Sequence, residues 1–286
     1  MYDFEFRRAT SLEQAGEWMR SGAEVKLLAG GQTLLPTLKL RLAAPKELVD
    51  IGAIRGLSMI ERSGGSLVTE RPGLGGGGAL VLRGGTLTIG ALARHNDVAE
   101  SSEVSESIPA LAALAGGIGD PAVRNRGTLG GSIANNDPAA DYPAAVLALN
   151  AIVFTNRREI AADNFFTGLF ETALAPDEIV TRVNFVVPTR AAYAKFRNKA
   201  SRFALVGVFV AEHGGSVRVA VTGASESGVF RWTAAEDALS ERFDPDALRD
   251  LKADAAGLVS DIHAAADYRA HLIAIMTRRA VAAALG

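Results

Sequence analysis

Apolar positions change spacing several times along the chain. Residues 4–8 read as a strand; then Ser11, a helix-capping residue type, precedes Leu12, Ala15, Trp18 and Met19 at helical spacing, and Gly22 stops the run. Residues 25–29 form a short apolar run ending at two glycines. Residues 33–42 return to helical spacing, and a strand is expected at 48–51. This β-α-β-α-β alternation is mixed α/β. From 59 to 89 the text becomes glycine-dense, with strand-like pieces at 66–69, 80–83 and 86–89. These predict hairpins, and the side-chain-free run Gly75 to Gly78 predicts a flexible tip. Helices are expected at 108–117 and about 143–150, with strands again from 152. Near Pro188 the chain restarts with apolar strands at 203–211 and 217–222. It ends in a helix over 264–285, with Leu272, Ile275, Met276, Ala280 and Ala283 near one face and Arg278 and Arg279 outside it. The expected fold class is α+β (mixed α/β): a first domain over 1–187, in subdomains of about 1–57 and 58–187, and a smaller α+β domain over 188–286 with a short antiparallel sheet and helices.

Composition narrows the function. A chain of 286 residues, 48% hydrophobic, is long enough for two domains. A net charge of −2 and a pI near 6.1 argue against a partner recognised through phosphate backbones or anionic lipid. The absence of cysteine excludes disulfides, catalytic thiols, thiolate zinc sites and thiolate-ligated iron–sulfur clusters on this chain. No apolar run approaches the ~20 residues of a membrane span, and the first residues lack the apolar core of a signal peptide. A soluble, cytoplasmic protein without an integral membrane segment is expected.

The four histidines, His95, His213, His263 and His271, show no metal-ligand spacing and read as surface or interface residues. The run Gly73 to Gly78 satisfies GxGxxG, but a strand-like segment follows it where the dinucleotide fingerprint needs a helix. Two other glycine segments have better context. Ala29-Gly30-Gly31-Gln32-Thr33 lies between a strand and an amphipathic helix, where backbone N–H groups can converge on an anion and missing Cβ atoms leave room for a diphosphate. The same bend is equally a tight turn needing glycine for packing alone. Thr128-Leu129-Gly130-Gly131-Ser132 again flanks a glycine pair with hydroxyls and is followed by Asp137 and Asp141. These two could be an acid/base pair, but Pro143 disfavours helical geometry at Tyr142, so Asp141 is expected to cap the helix beside it.

At these residues the sequence resembles the FAD-binding medium subunit of the molybdenum hydroxylases, the family of carbon monoxide dehydrogenase flavoprotein and the flavin domain of xanthine dehydrogenase. The likeness covers nearly the whole chain. AGGQTLLP resembles the family's first diphosphate-binding loop and TLGGSIANNDPAAD its second; IGDPAVRNRGT and SDIHAAADYRAHLIAIMTRRA also match. The resemblance implies a PCMH-type FAD-binding fold, in which Ala29, Gly30, Gly31, Gln32 and Thr33 hold FAD from one side. Ile118, Thr128, Gly130, Gly131 and Ser132 would hold it from the other, and Asp141 would bind ribityl or ribose hydroxyls. Ile179, within Pro-Asp-Glu-Ile, carries over, as does Phe203, where related chains often have tyrosine beside the ring; no catalytic residue and no metal ligand does. Two departures stand out. Gln32 replaces a histidine found in some members, and 63–85 is longer than the usual hairpin, either solvated or touching a partner.

Covalent attachment most often uses histidine or cysteine, and with no cysteine and only His95 near the right half the FAD is expected to be non-covalent; the resemblance further implies molybdopterin and [2Fe–2S] clusters on partner chains. A cysteine-rich iron–sulfur small subunit and a molybdopterin large subunit would complete a dimer of heterotrimers. This chain would be an FAD-dependent oxidoreductase subunit, inactive alone on the primary substrate, passing electrons to NAD, a quinone or O2. The alternatives are a self-contained PCMH-type FAD oxidase and a non-catalytic assembly subunit.

Overall fold

The structure is a computed structural model and describes residues 1–22, 24–70 and 79–286. The first layer is β1 (Glu5–Arg8), α1 (Leu12–Ser21), β2 (Val25–Leu28), α2 (Leu34–Lys39) and β3 (Glu47–Asp50), its strands parallel in the order β1-β3-β2. Ser11 caps α1 by accepting from Gln14 N–H, as expected. The second helix is shorter than its apolar spacing suggests. Arg41 adopts a left-handed φ of 59°, Arg41 N–H bonds Leu38 O, and Leu42 N–H bonds Thr37 O. That bonding is a Schellman stop without its usual glycine.

The middle section contains β4 (Ile60–Ser63), β5 (Ser66–Glu70), β6 (Ala79–Arg83) and β7 (Thr86–Gly90). Helices α3 (His95–Glu100), α4 (Ser102–Ser107), α5 (Pro109–Gly116), α6 (Pro121–Arg124), α7 (Leu129–Asn135) and α8 (Tyr142–Ala148) follow. Strands β8 (Ile152–Thr155), β9 (Glu159–Ala161), β10 (Phe166–Gly168), β11 (Glu171–Thr172) and β12 (Val180–Val186) complete it, giving an antiparallel sheet in the order β4-β7-β12-β8-β9. The β5–β6 pair forms its own hairpin. Its expected flexible glycine tip, and the GxGxxG match, lie outside the described residues.

The last section is an antiparallel sheet of β13 (Arg190–Arg197), β14 (Ala204–His213), β15 (Ser216–Thr222) and β16 (Phe230–Arg231), with α9 (Thr233–Glu241) and α10 (Ala266–Leu285) packed on it. Strand periodicity decides which side each residue serves. Ala192, Ala194 and Phe196 of β13 pack with α10, whereas Ala191 and Tyr193 face the middle section. In α10 the buried face is Leu272, Ile273, Met276, Thr277, Ala280 and Val281; Ala283 is exposed, and Arg278 and Arg279 lie outside. The expected face is therefore rotated by part of a turn. Arg269 anchors the helix. Fully buried, it donates to Leu205 O, Gly223 O and Asp261 and so ties α10 to the sheet.

Among the described residues, buried apolar side chains form three clusters: one around β1–β3 with Ile179, one in the middle section and one in the last. The mixed helix-and-sheet class is as the sequence predicts. Among the described residues, no helix is long and apolar enough to cross a membrane.

Candidate cofactor cleft

Segments a hundred residues apart touch. A Cβ built on Gly30 would lie 2.0 Å from Arg126 O and 2.9 Å from Gly127 Cα, so the first bend presses directly on the backbone leading into α7. On the other side, a Cβ on Gly131 would lie 4.0 Å from Ala29 Cβ. Between and beyond these contacts opens a cleft of about 960 Å³, near the upper end of small-molecule pockets. Ala29, Gly30, Gly31, Gln32, Thr33, Ile118, Thr128, Gly130, Gly131, Ser132, Asp141, Ile179 and Phe203 all line it.

The glycines have separate tasks. Gly30 is required by the approach to Arg126, and Gly130 by Ala91, whose Cβ would stand 2.5 Å from a Cβ at 130. Gly31 adopts a φ of 72°, the left-handed region that glycine enters freely. All four line the cleft, and Gly131 is the most exposed of them. Of the two readings left open for the first bend, packing accounts for Gly30, and Gly130 is likewise held by a close backbone approach. The second segment is also no open turn, because Gly130 and Gly131 lie in the first turn of α7, capped by Thr128 Oγ1 accepting from Gly131 N–H.

The two segments differ in what they offer. Around α7 the amides are spent: Leu129 N–H bonds Ala93 O, Gly130 N–H bonds Ala91 O, and Ser132 N–H bonds Thr128 O. In the first bend, the N–H groups of Gly30, Gly31, Gln32 and Thr33 have no partner among the described residues. Four consecutive unclaimed donors on a cleft wall suit an anion, and the exposed Gln32 and Thr33 side chains add more. The other wall offers the hydroxyls of Thr128 and Ser132. Ile118 O is held by Arg124, and Ile179 is buried with its N–H on Asn156 Oδ1. Phe203 is half exposed where the β13–β14 connection ends.

Asp141 does not cap α8. It is already helical, as is Tyr142 despite the following proline, and its side chain bonds elsewhere. Asp141 Oδ1 accepts from Tyr193 Oη at 2.5 Å, and Lys195 Nζ lies 2.9 Å from the carboxylate. Burial pushes this carboxyl up from its ordinary value, with Lys195 and then Tyr193 pulling the other way. His95 also departs from expectation: it is buried, lines the cleft, packs on Gly127 and meets Tyr142 at 5.3 Å between ring centres. Burial, helped by Arg124, lowers its pKa to about 4, so the ring is neutral at pH 7. Glu178, on the same cleft, is held down to about 2 chiefly by the Arg158 guanidinium.

Sequence reasoning missed Tyr193, Lys195, His95 and Glu178. A lysine two residues from a tyrosine, in a strand whose alternate positions are apolar, was the available signal for the first pair.

Residues 2–69 and 79–189 match the family described as the FAD binding domain in molybdopterin dehydrogenase. The chain belongs to that family. Its relatives include the nicotine 6-hydroxylase medium subunit of Paenarthrobacter nicotinovorans, 33% identical over 95% of this chain and 93% of that protein. The carbon monoxide dehydrogenase medium chain of Hydrogenophaga pseudoflava is 33% identical over 98% of this chain and 96% of its own length. Among solved structures, a carbon monoxide dehydrogenase from the same organism, lacking the Mo-pyranopterin moiety, superposes with a TM-score of 0.81 at 32% identity. It covers 99% of this chain and 97% of that one. Residues 70–78 lie outside the family match, between its two matched segments.

Proposed function

We propose that this subunit holds FAD as the electron exit of a molybdenum hydroxylase complex, receiving electrons from [2Fe–2S] clusters on a partner chain and passing them to an external acceptor. The observation that carries the reading is the meeting of two distant glycine segments on one cleft, with four unclaimed N–H groups on one wall and two hydroxyls on the other. The missing cysteines supply the direction, because electrons from a thiolate-ligated cluster must enter from another polypeptide. An iron–sulfur small subunit and a molybdopterin large subunit would complete the unit, paired as a dimer of heterotrimers.

Bound FAD supplies the redox chemistry; the protein binds, orients and shields it. The amides of Gly30 to Thr33 would neutralise the diphosphate, and Gln32 and Thr33 would bond ribityl oxygens. Thr128 and Ser132 would close the opposite side, with Gly131 giving the ligand room and Ile118 and Gly130 forming the wall. Asp141 keeps spare lone pairs for a ligand hydroxyl, since a carboxylate has about four acceptor sites. Ile179 would exclude water at one end and Phe203 would flank the ring.

Purified protein should be yellow, absorbing near ~450 nm, and denaturation should release the flavin because non-covalent contacts alone hold it. Tagged protein expressed in its source cells should bring down a cysteine-rich chain and a large molybdopterin chain. Colourless protein indifferent to added FAD, or turnover of a small alcohol or amine by the isolated chain, would sink the proposal.

A further inference from the structure

We propose that the corner of the first layer formed by Tyr2, Phe6, Leu40 and Leu42 is the docking surface for the molybdopterin large chain, with Lys39 and Arg41 as its charged rim. This rests on the partner reading above and assigns one partner to one face.

Each piece of this corner departs from ordinary packing. An all-parallel sheet is normally covered on both faces. Here one face, with Ala9, Val25 and Val49, lies under Leu12, Ala15 and Trp18 of α1. On the other, the strand register sets Phe6 beside the buried Leu48, yet Phe6 is left 52% exposed. The end of α2 departs as well. In a Schellman stop the residue after the left-handed one usually folds an apolar side chain back onto the helix. Leu42 holds that place and is 75% exposed, and Leu40 is 70% exposed. The two pieces adjoin, because the Arg41 guanidinium lies 5.4 Å from the centre of the exposed Tyr2 ring, on the segment that leads into β1. Single exposed apolar residues need no explanation. A group of them with aromatic rings and an arginine has the composition of an interface core.

Charge and position choose the occupant. Arg7, Arg8 and Lys46 are spent on Glu47, Asp50 and Glu24, whereas Lys39 and Arg41 have no carboxylate partner among the described residues. The complementary surface is therefore an apolar socket edged with carboxylates. Position separates the two partner chains. An iron–sulfur chain has to meet the flavin ring, which the reading above sets beside Phe203, where the β13–β14 connection ends. The corner belongs instead to the wall given to the diphosphate, since Thr37 and Ala43, on either side of Leu40 and Leu42 in the chain, line the cleft there. A chain whose electrons travel by way of the clusters needs no contact with the ring, and the molybdopterin chain is the one that fits this face.

The test is recovery of both partner chains on the tagged full chain expressed in its source cells, with bound flavin measured alongside. Leu40→Asp/Leu42→Asp should keep its FAD and its iron–sulfur chain and recover about tenfold less of the molybdopterin chain or lower, as loss of central apolar contacts predicts. Arg41→Gly removes the rim cation and suits the left-handed φ of 59° better than arginine does. It should melt no lower than wild type and still recover less of the large chain, a combination that a merely structural role for Arg41 does not give. Unchanged recovery of the molybdopterin chain in flavin-loaded variants overturns the inference, as does loss of the iron–sulfur chain from them. A wild-type chain that is dimeric by itself and turns monomeric on these changes also overturns it, because the corner is then a contact between copies. Should the double variant fail to fold, Arg41→Gly decides alone. Wild type that brings down neither chain overturns the partner reading, whereas wild type and variants that both bring down all partners remove only this surface.

Discussion

Replacing Gly30 by alanine tests the contact on which the cleft depends. The added Cβ would sit 2.0 Å from Arg126 O, 2.8 Å from its carbonyl carbon and 2.9 Å from Gly127 Cα. All three are backbone atoms and cannot rotate aside. Restoring a carbon contact of about 3.5 Å requires the two segments to part by roughly 1.5 Å. Overpacking of this kind costs about 1–3 kcal/mol, which lowers Tm by roughly 2–10 °C in a chain of this size. The parting also misaligns the unclaimed amides with the opposite wall. Losing one hydrogen bond to a charged group, about 1.5–3 kcal/mol, weakens FAD binding tenfold or more. Gly131→Ala is the control. Its Cβ would crowd Thr128 Oγ1, at 2.9 Å, and reach Ala29 Cβ at an ordinary 4.0 Å; a helical alanine gains about 1 kcal/mol while a disturbed cap loses about as much. That variant should therefore melt near wild type and still bind FAD more weakly, because its methyl stands in the cleft. Thermal unfolding without FAD and titration of flavin fluorescence read the two quantities separately. A Gly30→Ala protein with unchanged Tm and unchanged affinity would refute the reasoning.

Three further outcomes follow from the same geometry. His95 has a folded pKa near 4 against 6.5 when unfolded, so the unfolded chain takes up the proton first. Stability should fall by up to about 3 kcal/mol as pH drops from above 6.5 towards 4; His95→Gln should flatten that part of the profile in urea titrations, and an unchanged slope would contradict it. Arg158→Ala strips the charged partner from Glu178, whose side chain is 1% exposed, and should lower the urea midpoint by about 1–3 kcal/mol of stability. Arg269→Met leaves Leu205 O and Gly223 O without their donor and should cost about 2–4 kcal/mol in chemical denaturation. FAD affinity should stay near wild type, since Arg269 does not line the cleft.

Local patterns carried much of the fold into view. The cap at Ser11, the βα alternation of the first layer, the hairpin strands and the apolar strands after Pro188 are short-range signals, and each appears within a few residues of its expected place. What escaped is tertiary. Arg41 stops α2 in a left-handed conformation that asparagine or glycine would have announced. Arg269 anchors α10 by reaching one carbonyl on β14 and another just past β15, and no helical periodicity contains that information. The glycine pairs were legible as a cleft-forming feature, but which glycine meets protein backbone and which faces open space depends on a contact between residues 30 and 126. The buried side of His95 and the Asp141–Lys195 pair were hidden for the same reason, since partners 54 positions apart leave no short-range mark.

The pairing of Gly30 with the Arg126 carbonyl also has a consequence in time. One wall of the cleft emerges from the ribosome early, the second only after residue 131, and the β13–β14 edge carrying Phe203 later still. At about 5–20 residues per second, the first bend waits on the order of ten seconds or more for its counterpart wall and edge. Closure of the cleft is then a late event in synthesis, and a chain interrupted before residue 131 would carry one wall of it alone.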